Sequence, residues 1–238
     1  MINVKNSPLE IVKIDREYEH LFNRYGIESD SKKSIEIYSY LNDLNPEFII
    51  DIINCYENPI KLKPEAFIKY RIPLIIDYLK KSHQYYINKR LPEIEQNIYN
   101  LIKEYEDSKP LLYVLYYFFI NYQNELFKHF KEEEDVLFPY AIQLYGKVNF
   151  DTEINYSLLK KNKKLAVKFL KEHHQKEKEL KTLQNTILKY SPPSKNLSIY
   201  HVILYQLKNF QKDLNIHAFI EESVLELKII SHQSFLNI

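Results

Sequence analysis

The chain has 238 residues, two glycines, one cysteine, and 33 Lys and Arg against 32 Asp and Glu, for a formal charge of +1. An interspersed balance of this kind offers no basic face for nucleic acid. The lone Cys55 builds neither a disulfide framework nor a thiolate metal site within one chain. With so little glycine, tight hairpins and phosphate-binding loops lack their usual material, and an all-α fold is the expectation.

In chain order, MINVKNSPLE has no apolar core of signal-peptide type, and no stretch reaches the length of a membrane span, so a reducing, cytoplasmic setting without membrane or nucleic-acid partners is expected. Residues 1–60 read as a small helical N-terminal domain. Val12, Tyr18, Leu21 and Phe22, then Ile50, Ile53 and Tyr56, supply the apolar faces of two or three short helices, and Gly26 is placed to end the first in a left-handed conformation. ENPIKLKPE at 57–65 carries two prolines and serves as the linker. Residues 64–238 then hold four long periodic stretches: Pro64 or Ile72 to Tyr105, Leu111 to Tyr145, Asn155 to Lys189, and Leu197 to Ile229. Their breaks are EDSKP, GKVNFD and YSPPSKN, and their short connections predict an antiparallel up-down-up-down four-helix bundle. Pro73, Pro92 and Pro139 lie inside the first two stretches, where a kink or a division is expected. VLYYFFI at 114–120 reads as buried helix, and KKNKK at 160–164 as a solvated face at a helix start.

One histidine falls deep in each stretch: His83, His129, His173 and His217, separated by 46, 44 and 44 residues. Two of them have a glutamate four residues on, His129 with Glu133 and His217 with Glu221, and residues so spaced share a helix face. Taken alone, either pair reads as an exposed helical ion pair. Together they describe a duplication, a helix with one His followed by a helix with His-x-x-x-Glu, and both glutamates stand beside apolar sequence, VLFPYAI and SVLELKII, where a metal would justify burying them. Imidazole and carboxylate suit iron better than a structural zinc. If each metal takes two histidines and both glutamates bridge, a solvent-derived oxo or hydroxo bridge fills a further position and leaves one open on each of two Fe ions for a small diatomic ligand.

The remaining histidines fit this pattern less well. His174 points about 100° away from His173, and His20, His201 and His232 lie outside the repeat. Glu132 and Glu134 point elsewhere on their helix. Glu172 and Asp213 are conceivable partners for a ligand imidazole's second nitrogen, although a solvated carboxylate is the stronger reading for each. Of 21 tyrosines, Tyr85, Tyr86, Tyr116, Tyr117 and Tyr122 are candidates to line a metal pocket, with plain core packing the stronger reading.

Several segments then resemble one family, in order and over almost the whole chain. IIDYLKKSHQYYINKRLPEIEQ, ELFKHFKEEEDVLFPY, KEHHQKEKEL with KYSPPSKN, and DLNIHAFIEESVL are similar to the four bundle helices of the iron–sulfur cluster repair di-iron proteins, a branch of the hemerythrin-like proteins. The second is the individually specific motif. The resemblance implies the same six ligands, His83, His129, Glu133, His173, His217 and Glu221, around an oxo-bridged di-iron unit. It also implies a role in restoring clusters damaged by nitric oxide or oxidative stress, by iron donation or nitric oxide reduction, with damaged iron–sulfur proteins and NO or O2 as partners. No well-placed fifth histidine suggests the oxygen carriers of the family. Two departures stand out. IVKIDREYEHLFNRYGI matches the family's lead-in but is followed by ESDSKKS, without the Cys-Cys-Gly-Gly sequence, and VLELK stands where relatives continue VLFP. An oxygen- or nitric-oxide-sensing module with a partner-binding N-terminal unit, a metal-free helical scaffold, and a homodimer formed through residues 1–60 complete the expectations.

Overall fold

A computed structural model describes residues 2–57, 63–104, 109–153, 157, 159–168 and 197–236, and among these residues the regular structure is helical, with no strand. The chain divides into two compact units: Met1–Tyr85 with Lys212–Lys228, and Tyr86–Gln211 with Ile229–Ile238. These are units of compactness, whereas the boundary expected at 60–64 comes from composition, and most of its linker, 58–62, lies outside the described residues.

In the first unit, α1 (Pro8–Ile14) opens on a capping box, with Ser7 Oγ accepting from the Glu10 amide at 3.3 Å and Glu10 Oε2 accepting from the Ser7 amide at 3.0 Å. A 3-10 turn at Arg16–Tyr18 leads into α2 (Glu19–Arg24), followed by α3 (Ile35–Leu41) and α4 (Pro46–Glu57). The N-terminal segment thus holds more helices than its apolar pattern suggests, because each is only 6 to 12 residues long; Ser7, Ser34 and Asn45 cap the starts of α1, α3 and α4, while α2 has no side-chain cap. Gly26 does end α2 left-handed, at φ +63°. The Gly26 amide donates to the Asn23 carbonyl at 3.3 Å and the Ile27 amide to the Phe22 carbonyl at 2.9 Å, the paired bonds of a Schellman stop. Ile27 and Phe22 are both buried there. The short α5 (Glu65–Ile68) precedes α6 (Ile72–Tyr85). Phe48 of α4 meets Phe67, Tyr70 and Tyr78 edge-on, with ring centroids 6.1, 4.9 and 5.8 Å away. This aromatic joint seats α4 against α6, and most of the apolar residues named from the N-terminal sequence, Tyr18, Leu21, Phe22, Ile50, Ile53 and Tyr56, are buried with it.

In the second unit, α7 (Leu91–Glu104) packs on α8 (Lys109–Glu132). Gln123 donates to the Leu91 carbonyl at 3.4 Å and to Glu95 at 3.2 Å, and Tyr116 donates to Glu95 at 3.1 Å. Partner numbers fall along α8 as they rise along α7, so the two helices run antiparallel. The 114–120 run is buried on one face only: Leu115 and Phe119 are inside, while Val114, Tyr117 and Phe118 are exposed. This corrects the reading of the run as buried helix: it is helical but buried on one face, and the unbroken apolar letters concealed an amphipathic helix. Helix α9 (Phe138–Phe150) stops at Asp151, itself left-handed at φ 47°. Residues 159–168 form α10, with Lys160, Lys161 and Lys164 exposed as expected of a solvated helix start, and α11 (Leu197–Ala218) and α12 (Glu226–Phe235) follow. The rest of the third stretch, including His173, His174 and Glu172, lies outside the described residues. No helix among the described residues is long and apolar enough to cross a membrane.

These local structures can be tested at two positions. An alanine Cβ at Gly26 would meet nothing within 4 Å, so Gly26→Ala carries backbone strain alone and lowers stability by about 1 kcal/mol, read from the urea midpoint; no change would show that the stop does not need a left-handed residue. Cys55 is 4 % exposed, its thiol donates to the Asp51 carbonyl at 3.2 Å, and burial, aided by the Asp51 charge, pushes its pKa up to about 12. In native protein at pH 8 it resists thiol reagents and reacts only on unfolding; stoichiometric labelling of the folded chain would contradict this placement.

Candidate metal centre

Three of the helical runs that carry candidate ligands share a local irregularity. A π turn spans Tyr86–Arg90, three residues after His83. A second spans Glu133–Leu137 and opens on the candidate glutamate itself. The third, Phe219–Leu225, contains Glu221 and starts two residues after His217. A π turn inserts a residue into the helical ladder and rotates the residues after it, and such turns concentrate at functional sites. They also account for two of the prolines. Pro92 and Pro139 are each the second residue of the α segment that resumes after a π turn, where the rerouted ladder tolerates a missing amide. The division anticipated at these prolines is therefore a π turn and not a break, while Pro73 sits at the start of α6 and divides nothing.

The first unit brings His83, His217 and Glu221 together. His83 is 0 % exposed, His217 4 % and Glu221 1 %. The His83 and His217 Nε2 atoms stand 3.0 Å apart, and Glu221 Oε2 lies 4.0 Å from His217 Nδ1. Imidazole nitrogens bind a first-row divalent ion at about 2.1 Å. At that length two ligands at right angles are separated by about 3.0 Å and two tetrahedral ones by about 3.4 Å, so the observed spacing fits adjacent positions of a six-coordinate ion.

The second unit holds the other described pair. His129 Nε2 lies 2.7 Å from Glu133 Oε1, with the two side chains 5 % and 0 % exposed. The flanking acids behave as expected of a single inward-facing position, since Glu132 and Glu134 are only partly covered and Asp135 is exposed. Both His-x-x-x-Glu pairs are thus buried, which excludes the exposed ion-pair reading. The donor set, imidazole nitrogen and carboxylate oxygen withdrawn from water, suits iron.

Around the His83–His217 pair lies a polar network that sequence reasoning missed. Asp213, one turn before His217, is not solvated but 6 % exposed. Arg24 of α2 forms an ion pair with one of its carboxylate oxygens, and the Tyr56 hydroxyl donates a hydrogen bond to the other. Arg24 Nη1 also donates to Ser82 Oγ at 3.2 Å and to the Tyr78 hydroxyl at 3.3 Å, and Ser82 Oγ donates to the Tyr78 carbonyl at 2.9 Å. Burial pushes the Tyr78 phenol up to about 12. No local spacing could reveal this arrangement, because Arg24 and Asp213 are 189 residues apart.

The other sequence candidates divide clearly. Tyr85, Tyr86 and Tyr122 are buried, the Tyr85 hydroxyl lies 2.6 Å from His20 Nδ1, and the Tyr86 ring packs on Phe130 and Phe210. Tyr117 is exposed and Tyr116 turns to Glu95, which removes both from any buried pocket. His201 is exposed, and His232 is half-buried beside Tyr145.

A search of curated proteins returns no match. Residues 74–229, about two thirds of the chain and inclusive of all six candidate ligands, match the hemerythrin HHE cation binding domain. With an all-α structure and buried His and Glu groups on its bundle helices, the chain belongs to the hemerythrin-like, metal-binding family.

Proposed function

We propose that the chain is a di-iron protein acting in the repair of iron–sulfur clusters damaged by nitric oxide or oxidative stress. In this reading His83, His129, Glu133, His173, His217 and Glu221 hold two Fe ions with an oxo or hydroxo bridge, residues 64–238 form the bundle and residues 1–60 a small N-terminal domain. The observation that carries it is a donor set of imidazoles and carboxylates almost fully withdrawn from water, with two imidazole nitrogens at the 3.0 Å separation of adjacent ligands. Bound there, iron would supply redox capacity toward NO or O2 and a labile pool for damaged clusters. The protein's own part is to present neutral imidazoles and ionised carboxylates at fixed positions and to keep water from them. The family match and the resemblance of ELFKHFKEEEDVLFPY to the repair branch support this assignment.

A second reading, a sensor of oxygen or nitric oxide using the same iron, is favoured by one observation. ESDSKKS replaces the cysteine pair, and Cys55 is buried with its thiol held protonated, so a route through thiols has no reactive group in this chain.

Iron-loaded protein is expected to restore activity to a nitric-oxide-treated [4Fe–4S] enzyme, and Glu133→Ala and His129→Ala are expected to lose at least one iron per chain and that restoration together. Iron binding without restoration, accompanied by protein-partner binding that changes with iron oxidation state, would replace the repair reading with the sensing one.

A further inference from the structure

The N-terminal segment reads from sequence as a module appended to a bundle, yet it supplies a cation that touches both helices of a ligand pair. Arg24 belongs to α2, and its side chain is 0 % exposed. Its guanidinium reaches Ser82, the residue before His83, and Tyr78, one turn further back on α6. The same guanidinium pairs with Asp213, which shares a face of α11 with His217. Tyr56 of α4 closes the network from a second N-terminal helix. Between the two clamped helices, the His83 and His217 Nε2 atoms stand 3.0 Å apart.

A guanidinium is suited to this geometry because its donors form a rigid planar fork that can serve acceptors on two helices at once, whereas an ammonium is a single point charge. Burying an ion pair is a poor route to stability in itself, so its placement one turn from one ligand and one residue from another calls for a role. The Schellman stop at Gly26 fixes the end of α2 immediately after Arg24, and so fixes the direction from which the guanidinium enters.

We propose that Arg24 is a positioning residue for the metal ligands, with Asp213 and Tyr56 as its anchors, so that the N-terminal segment is a working part of the His83–His217 half of the centre. This rests on the metal-binding reading above. It differs from simple anchoring of the segment, because an anchor sets stability, while a clamp across α6 and α11 sets the spacing of two imidazoles.

The test compares full-length Arg24→Ala and Arg24→Lys with Ile35→Ala, a fully buried core residue of α3 outside the network. Each is titrated anaerobically with ferrous iron against a chromophoric chelator, and the metal-free imidazole ¹⁵N signals of His83 and His217 are recorded. The expected result is iron binding weakened about 10- to 100-fold by Arg24→Ala, the usual effect of losing a group that orients a ligand, with displaced His83 and His217 signals. Arg24→Lys is expected to keep the charge and melting temperature more nearly intact without recovering affinity or signals, while Ile35→Ala lowers the melting temperature and leaves both readouts in place. The proposal is overturned if Arg24→Ala changes affinity and imidazole signals no more than Ile35→Ala does, or if Arg24→Lys restores both. Should Arg24→Ala not fold, Arg24→Lys and Tyr56→Phe carry the comparison. If the wild-type chain takes up no iron, the metal reading fails by itself, and the imidazole signals of the metal-free variants still decide whether Arg24 sets the pair.

Discussion

Taking a carboxylate out of water costs on the order of several kcal/mol unless another group replaces the lost hydration, and this chain does so at Glu133 and again at Glu221, 0 % and 1 % exposed. Both lie four residues after a buried histidine, and both lie within π turns. Much of the surrounding structure answers to this constraint. Beyond the two acids both helices turn apolar side chains inward, Leu137, Phe138, Val224 and Leu225 being buried, and the π turns re-aim the chain just where the polar groups must face inward. An ordinary structural core would replace such acids with leucine and gain stability. Retaining them makes sense when something of positive charge is to be held.

The two units meet that demand differently. In the second unit, Glu133 follows directly on α8, whose packing against α7 is tied by Glu95, Tyr116 and Gln123. Around Glu221 and the His83–His217 pair, the N-terminal helices contribute polar groups of their own, Arg24 and Tyr56, to a network that also includes Asp213, Ser82 and Tyr78. The N-terminal segment thus brings charge into the interior of its unit, close to candidate ligands.

Much of this was legible in the sequence. Scarce glycine and four long periodic stretches point to an all-α fold, and the repeated His-x-x-x-Glu spacing marks the two buried acids, because i and i+4 on a helix are neighbours whatever the tertiary structure. Gly26 was legible for the same local reason. What stayed hidden was either non-local or a departure from regular helix. Arg24 and Asp213 lie 189 residues apart, so Asp213 reads as solvated when only its sequence neighbours are considered. The π turn at Phe219–Leu225 has no proline to announce it, unlike those before Pro92 and Pro139. The apolar letters of 114–120 mislead in the opposite sense, because helix faces and not composition decide burial. His173 is named by its place in the repeat and lies outside the described residues.

The central claim is that the buried histidines and glutamates of this chain serve iron. Anaerobic loading with ferrous iron, removal of loosely bound metal, and a Mössbauer spectrum of the oxidised protein test it most directly. The account predicts two irons per chain and a diamagnetic, antiferromagnetically coupled diferric signal. Fewer than one firmly held iron per folded chain, or isolated paramagnetic ferric ions at any loading, would contradict it.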